Sequence, residues 1–105
     1  MRISHESTLI TIQTTKGVRH VRGYRLRLDK PFDTLQLYVT PCMTIGGEPS
    51  HTDWVVTEAS TGLRIDSVDW YYGSKQAAAE VALMVLEHNG PDKVWEQILA
   101  SREGV

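Results

Sequence analysis

The segment RHVRGYRLRL, Arg19 to Leu28, alternates charged and apolar side chains with a period of two. This period is typical of a β-strand with one face against a core and the other against solvent. The face predicted to point inward consists of Tyr24, Leu26 and Leu28. The opposite face consists of Arg19, Val21, Gly23, Arg25 and Arg27. The pattern therefore predicts an amphipathic strand over residues 18–28, and with it an antiparallel sheet.

Further strand patterns lie on both sides of this segment. Alternating and β-branched residues predict strands over 8–14, 34–40, 54–58 and 63–65. Thr15-Lys16-Gly17 predicts the turn between the first two strands. Ala59-Ser60-Thr61-Gly62 predicts a second tight turn, in which the glycine takes a positive φ. Residues 41–53 are expected to form a long loop between the third and fourth strands.

The last third of the chain predicts two helices. Ser74 is a suitable N-cap for a helix that ends at Asn89-Gly90, and Pro91 opens a second helix. Strands followed by helices predict an α+β fold, an antiparallel sheet of about five strands with two C-terminal helices packed on one face. We expect residues 1–105 to form a single α+β domain.

Composition limits the environment of the protein. The 105 residues carry a net charge of −2 and include one cysteine, so no internal disulfide forms and a reducing compartment is expected. No run of apolar residues is long enough for a signal peptide or a membrane-spanning helix. These features predict a soluble, cytoplasmic protein without a membrane partner.

Sequence motifs for catalysis and cofactor binding are missing. The segment 73–75 has the wrong order and spacing for a phosphate-binding P-loop, and Gly46-Gly47 opens no glycine-rich fingerprint. Cys42, His51 and Asp53 are candidates for a nucleophile, a base and an orienting acid, but their spacing does not show that they meet. The four histidines are scattered along the chain. We therefore expect no enzyme activity, no catalytic residues, no metal site and no cofactor.

The first candidate binding surface is basic. Residues 16–30 contain six lysines and arginines and one acidic residue. Arginines two positions apart on a strand project about 7 Å apart on one face, a spacing that suits successive phosphates. The predicted nucleic-acid-binding residues are Lys16, Arg19, Arg25, Arg27 and Tyr38. The structural alternative is that the arginines only solvate an exposed sheet face and prevent edge-to-edge aggregation.

The second candidate binding surface is aromatic and acidic. The segment DWYYG, Asp69 to Gly73, places three aromatic residues in a row before the first helix. They cannot all enter one core, and exposed Trp and Tyr side chains often dominate protein interfaces. The predicted protein-binding residues are Asp69, Trp70, Tyr71 and Tyr72. The structural alternative is that Trp70 and Tyr72 fill the seam between the sheet and the helices.

The segment WVVTEASTGLRI, residues 54–65, precedes SKQAAAEVAL, residues 74–83. This Trp-x-Val-Thr hairpin with a Thr-Gly turn, followed by an Ala-rich helix, resembles short proteins of phages and mobile elements. The likeness covers roughly residues 54–86. It implies a compact inhibitor or regulator of a host machine, including defence machinery, and it implies no catalytic residues.

These observations favour a non-catalytic binding module that acts on a protein partner through residues 69–72. Nucleic-acid binding by the arginine-rich strand is the alternative. A homodimer is also expected, because an open five-stranded sheet leaves edge strands that can pair with a second copy.

Overall fold

The computed structural model describes residues 1–14, 17–43, 48–65 and 72–103. The elements are β1 (Arg2–Thr14), β2 (Gly17–Arg27), β3 (Leu37–Met43), β4 (Pro49–Glu58), β5 (Leu63–Arg64), α1 (Lys75–Asn89) and α2 (Pro91–Glu103). The strands form one antiparallel sheet in the order β1-β2-β3-β4-β5. The predicted α+β fold is confirmed. Among the described residues, no helix combines the length and the apolar character needed to span a membrane.

The main core lies between the two helices and one face of the sheet. Its most deeply buried members include Leu26 on β2, Leu37 on β3 and Leu86 on α1, each no more than 1% exposed. The helices therefore cover the face of β2 that the alternation predicts to be internal. The predicted N-cap is also confirmed, since the hydroxyl of Ser74 accepts a hydrogen bond from the backbone N–H of Ala77 at 3.1 Å.

The sheet curls on its opposite face, so that β1 at one end of the strand order contacts the β4–β5 turn at the other end. The N–H of Gln13 on β1 donates to the carbonyl of Gly62 in the β4–β5 turn at 2.8 Å, although these segments belong to opposite ends of the strand order. A second apolar cluster lies inside the curl and consists of Ile10, Ile12 and Val21, with Tyr38 and Met43 packed against it. The expectation that the arginine-bearing face is solvated along its whole length is therefore wrong at its middle, where Val21 is 4% exposed.

The segment between β3 and β4 is shorter than the sequence pattern indicates. β3 continues to Met43 and β4 begins at Pro49, so much of the predicted loop over 41–53 is strand. The predicted strand over 34–40 ends just before Pro41. In the structure Pro41 belongs to β3 and pairs with Trp54, and the ladder shifts register immediately beyond it. Proline has no backbone N–H to donate to the ladder, so within a sheet it is tolerated at irregularities of this kind.

Gly23 lies opposite Thr8 in a regularly paired part of the β1–β2 ladder. A Cβ atom at this position would lie 3.0 Å from Cβ of Tyr38, 3.2 Å from Cγ2 of Thr40 and 3.3 Å from Cδ1 of Ile10. The glycine is therefore required by the close packing inside the curl.

We expect Gly23→Ala to destabilise the fold by about 1–3 kcal/mol, because the added methyl group overpacks the curl. In an unconstrained strand the same substitution is stabilising. Chemical denaturation measures the effect. Gly73→Ala is the matched control, because nothing lies within 4 Å of a Cβ atom there. Equal stability of the two variants would contradict the packing described for the curl.

The β4–β5 turn is organised by a buried carboxylate. Glu58 is 2% exposed, and its side chain accepts hydrogen bonds from the N–H groups of Ser60 (2.9 Å) and Thr61 (3.1 Å) and from the Ser60 hydroxyl. Arg102 on α2 donates to the same hydroxyl from Nε at 3.0 Å and from Nη2 at 2.6 Å. Gly62 has a φ of 73°, so the predicted positive φ of the turn glycine is confirmed.

Candidate functional site

The hairpin of β1 and β2, residues 2–27 and called the ribbon below, concentrates the positive charge of the chain. The first 28 residues hold six of the eleven lysines and arginines and one of the thirteen acidic residues. The exposed arginines of the ribbon are Arg2, Arg19, Arg22 and Arg27. Leu9 and Val18 are also 60% and 54% exposed, so the helices do not cover the distal half of the ribbon.

The arginines predicted on one face of β2 do not form one continuous row. Val21 and Gly23, which lie between Arg19 and Arg25 on that face, are buried inside the curl. Arg19 therefore lies at the distal end of the ribbon and Arg27 at the proximal end, about 27 Å apart along the strand. The structure divides the predicted basic site into two exposed basic positions.

Arg25 is held in place by two contacts. Its Nη2 donates to the carbonyl of Leu35 at 3.2 Å, and its guanidinium carbon lies 5.4 Å from the centroid of the Tyr38 ring. Tyr38 is half-buried against the cluster inside the curl, and Arg25 lies over its ring, so this ring is not an open platform for a stacked base. Lys16, the remaining residue of the predicted basic site, lies outside the described residues.

Near the proximal end of the ribbon, the pairing of β1 with β2 is interrupted between Ile3 and Ser7, and a groove lies beside this interruption. The groove is lined by residues 3–6 of β1 and by Arg2, Arg25 and Arg27. Arg2 and Arg27 are directly opposite each other in the ladder. This places three arginine residues around one concave surface.

Most of the predicted protein-binding surface cannot be placed, because Asp69, Trp70 and Tyr71 lie outside the described residues. Tyr72 forms an isolated antiparallel bridge with Trp54, with N–H to carbonyl distances of 2.7 and 3.1 Å. Both residues are half-buried and pack against the main core. Tyr72 thus contributes to the seam between the sheet and the helices and remains partly accessible.

A lysine lies on the aromatic rings next to this bridge. The Lys75 ammonium group is 3.6 Å from the centroid of the Tyr24 ring and 5.0 Å from that of Trp54. The two rings meet edge to face, with centroids 6.0 Å apart. Lys75 therefore adds a positive charge to this aromatic surface, which the prediction of an aromatic and acidic surface at residues 69–72 did not include.

The candidate catalytic residues are not joined by hydrogen bonds in the described part of the chain. The Cys42 thiol points to the carbonyl of Met43 at 3.8 Å, and the Asp53 carboxylate contacts the Ser50 hydroxyl at 3.5 Å. His51 is exposed. Within residues 1–14, 17–43, 48–65 and 72–103, no group of three or more His, Cys, Asp or Glu side chains is arranged to hold a metal ion.

Sequence reasoning missed Arg2, Ser4 and His5 as members of a basic site. The polar segment SHES, residues 4–7, lacks a strand-like alternation, so the first strand was expected to begin at residue 8. Arg2 then has no partner strand. Extending the antiparallel pairing of the two strands regularly back from their turn places Arg2 beside Asp29, and only the two extra residues of β1 between Ile3 and Ser7 bring Arg2 opposite Arg27.

No protein-family model matches this sequence, and neither a curated protein nor a solved structure matches it significantly.

Proposed function

We propose that this protein is a non-catalytic binding module whose β1–β2 ribbon binds nucleic acid. The observation that carries the proposal is the separation of charge. The ribbon holds most of the arginines, whereas twelve of the thirteen acidic residues lie outside it. A polyanion is therefore attracted to the ribbon and repelled by the rest of the molecule, which orients the complex.

The shape of the ribbon agrees with this function. The pairing follows β2, which has 11 residues, so the ribbon extends about 35 Å, which matches the longest dimension of the molecule, 35 Å. A two-stranded antiparallel ribbon fits the major groove of duplex DNA, which is about 12 Å wide. Near the distal end, Gln13 and the hydrogen-bonded pair of Thr11 and His20 are exposed and carry donors and acceptors that can contact base edges.

Fluorescence anisotropy with labelled single- and double-stranded DNA and RNA tests the proposal. We expect binding at ~50 mM salt that weakens by about 40-fold at ~200 mM salt, the change expected for three neutralised phosphates. Arg19→Gln/Arg22→Gln removes two exposed cations from the distal end of the ribbon. This double variant is expected to reduce the slope of log affinity against log salt by about 2.

Lys93→Gln is the control for a positive charge lost outside the ribbon, because Lys93 is exposed on α2; it removes one charge, whereas the double variant removes two. We expect the control to bind like the unmodified protein. If no nucleic acid bound at low salt, or if the control and the ribbon variant weakened binding equally, nucleic-acid binding by the ribbon would be excluded.

A protein partner is the second candidate, and the aromatic surface of Tyr24, Trp54 and Tyr72 favours it. These three side chains are half-buried, lie at the edge of the main core and carry the Lys75 ammonium. Such rings provide large contact area at low entropic cost. An inhibitor or regulator of a host machine, as the resemblance to phage proteins implies, would use this surface if the ribbon binds no nucleic acid.

A further inference from the structure

A bulge of three residues in β1 borders the groove near the proximal end of the ribbon. Ile3 pairs with Leu26, and the next pair in the ladder is Ser7 with Tyr24. Three residues of β1 therefore lie opposite Arg25 alone, so β1 has two residues more than regular pairing requires. Bulges of this kind redirect side chains and are common beside binding sites.

The groove has a volume of about 570 Å³ and is strongly basic. Arg2 and Arg27 are cross-strand neighbours, an arrangement that destabilises a sheet when the charges are alike. Among the described residues, neither the Arg2 nor the Arg27 side chain has an ion-pair or hydrogen-bond partner, and the N-terminal ammonium lies 3.9 Å from Asp29. Glu6 is the single acidic residue of the lining. The groove thus has an excess of uncompensated positive charge.

The third arginine of the groove is fixed before any ligand arrives. The carbonyl of Leu35 and the ring of Tyr38 hold the Arg25 guanidinium. Its Nε–H is buried and has no acceptor among the described residues. A buried donor without an acceptor is costly. A side chain that is already immobilised loses little entropy on binding.

We infer that this groove binds a phosphate group of a nucleic-acid backbone. The guanidinium groups of Arg2 and Arg27 hold the phosphate oxygens beside the fixed Arg25, and Ser4 and His5 supply further polar groups from the bulge. The inference rests on the proposed function and deepens it, because it assigns a specific phosphate site at the proximal end of the ribbon.

The chemistry of the lining favours phosphate. Guanidinium groups donate paired N–H bonds to phosphate oxygens, and a tetrahedral phosphate can accept from several arginines at once. The volume of the groove is within the range of small-ligand sites, large enough for a phosphate with part of its sugar. A free inorganic phosphate would use the same donors, so the test compares the two sources.

Nuclear magnetic resonance of the arginine Nε–H groups tests the site directly. The protein, labelled with ¹⁵N, is titrated separately with a 12-nucleotide single strand, a 12-base-pair duplex and inorganic phosphate. We expect saturable shifts of the Arg25 and Arg27 signals with at least one nucleic acid. Arg2→Gln/Arg27→Gln should weaken that binding at least about tenfold, since two charge-assisted hydrogen bonds are lost. Lys93→Gln again serves as the control.

The outcomes separate the groove from the proposed function. One outcome would overturn the phosphate site in the groove and leave nucleic-acid binding by the ribbon in place. In that outcome the nucleic acid shifts the signals of Arg19 and Arg22 but not those of Arg25 or Arg27, and Arg2→Gln/Arg27→Gln binds as tightly as the unmodified protein. If inorganic phosphate shifts the Arg25 and Arg27 signals to saturation and neither nucleic acid shifts them, the inference that the groove binds a phosphate of the nucleic-acid backbone is overturned. Absence of any arginine shift would overturn both proposals. Thermal melting checks the fold of the variant, which should melt at or above the temperature of the unmodified protein because a like-charge pair is removed.

Discussion

Leu86→Ala is expected to destabilise this protein by about 2–5 kcal/mol, a large fraction of the roughly 5–15 kcal/mol that stabilises a typical domain. Leu86 is 1% exposed and lies in the main core between α1 and the sheet. Truncation removes buried methyl groups and leaves a cavity that the neighbouring side chains fill only in part. Equilibrium denaturation with urea or guanidinium chloride gives the change in the free energy of unfolding.

Met84→Ala is the matched control for this prediction, since Met84 is on the same helix and is 67% exposed. Its effect on the free energy of unfolding should stay within about 0.5 kcal/mol. A loss below about 1 kcal/mol for Leu86→Ala would mean that α1 does not pack on the sheet through this residue.

Glu58→Ala is expected to destabilise the fold by about 2–3 kcal/mol. The substitution leaves the N–H groups of Ser60 and Thr61 without their acceptor, and an unsatisfied buried donor costs about 1–3 kcal/mol. The same turn carries Gly62, whose carbonyl accepts the hydrogen bond from Gln13 of β1. We therefore expect faster amide hydrogen exchange at Gln13 as well as a lower denaturation midpoint.

Two further variants complete the experiment on Glu58. Glu87→Ala removes a carboxylate from an exposed position of α1 and should change the free energy of unfolding by less than about 0.5 kcal/mol. Glu58→Gln keeps the side-chain shape and one acceptor oxygen, so its effect should lie between those of the two alanine variants. Unchanged protection of the Gln13 amide in Glu58→Ala would show that the carboxylate does not organise the turn.

The fold class and most of the elements could be predicted from local patterns. The alternation in β2, the Ser74 cap and the glycines at 62 and 90 are short-range signals, because backbone geometry and neighbouring side chains determine them. The longer β3 and β4 were missed. Strand pairing across the sheet overrides the local preference of a proline at 41 and of the polar residues before Trp54.

The candidate site was harder to predict than the fold. The sequence placed Arg19, Arg25 and Arg27 on one strand face, and the alternation supports that placement. Whether they share one accessible surface depends on the curl of the sheet, which buries Val21 between them. The groove also depends on the bulge in β1, since β1 there carries two extra residues opposite Arg25.

The sequence by itself determined the order of strands and helices, the internal face of β2 and the concentration of positive charge in the first 28 residues. These follow from side-chain period, caps and composition, which act over a few residues. Only the tertiary structure decided that the sheet curls until Gln13 meets Gly62, and that Arg2 lies opposite Arg27. Both contacts join segments far apart in the chain, so they depend on register and on packing inside the sheet, which no local pattern encodes.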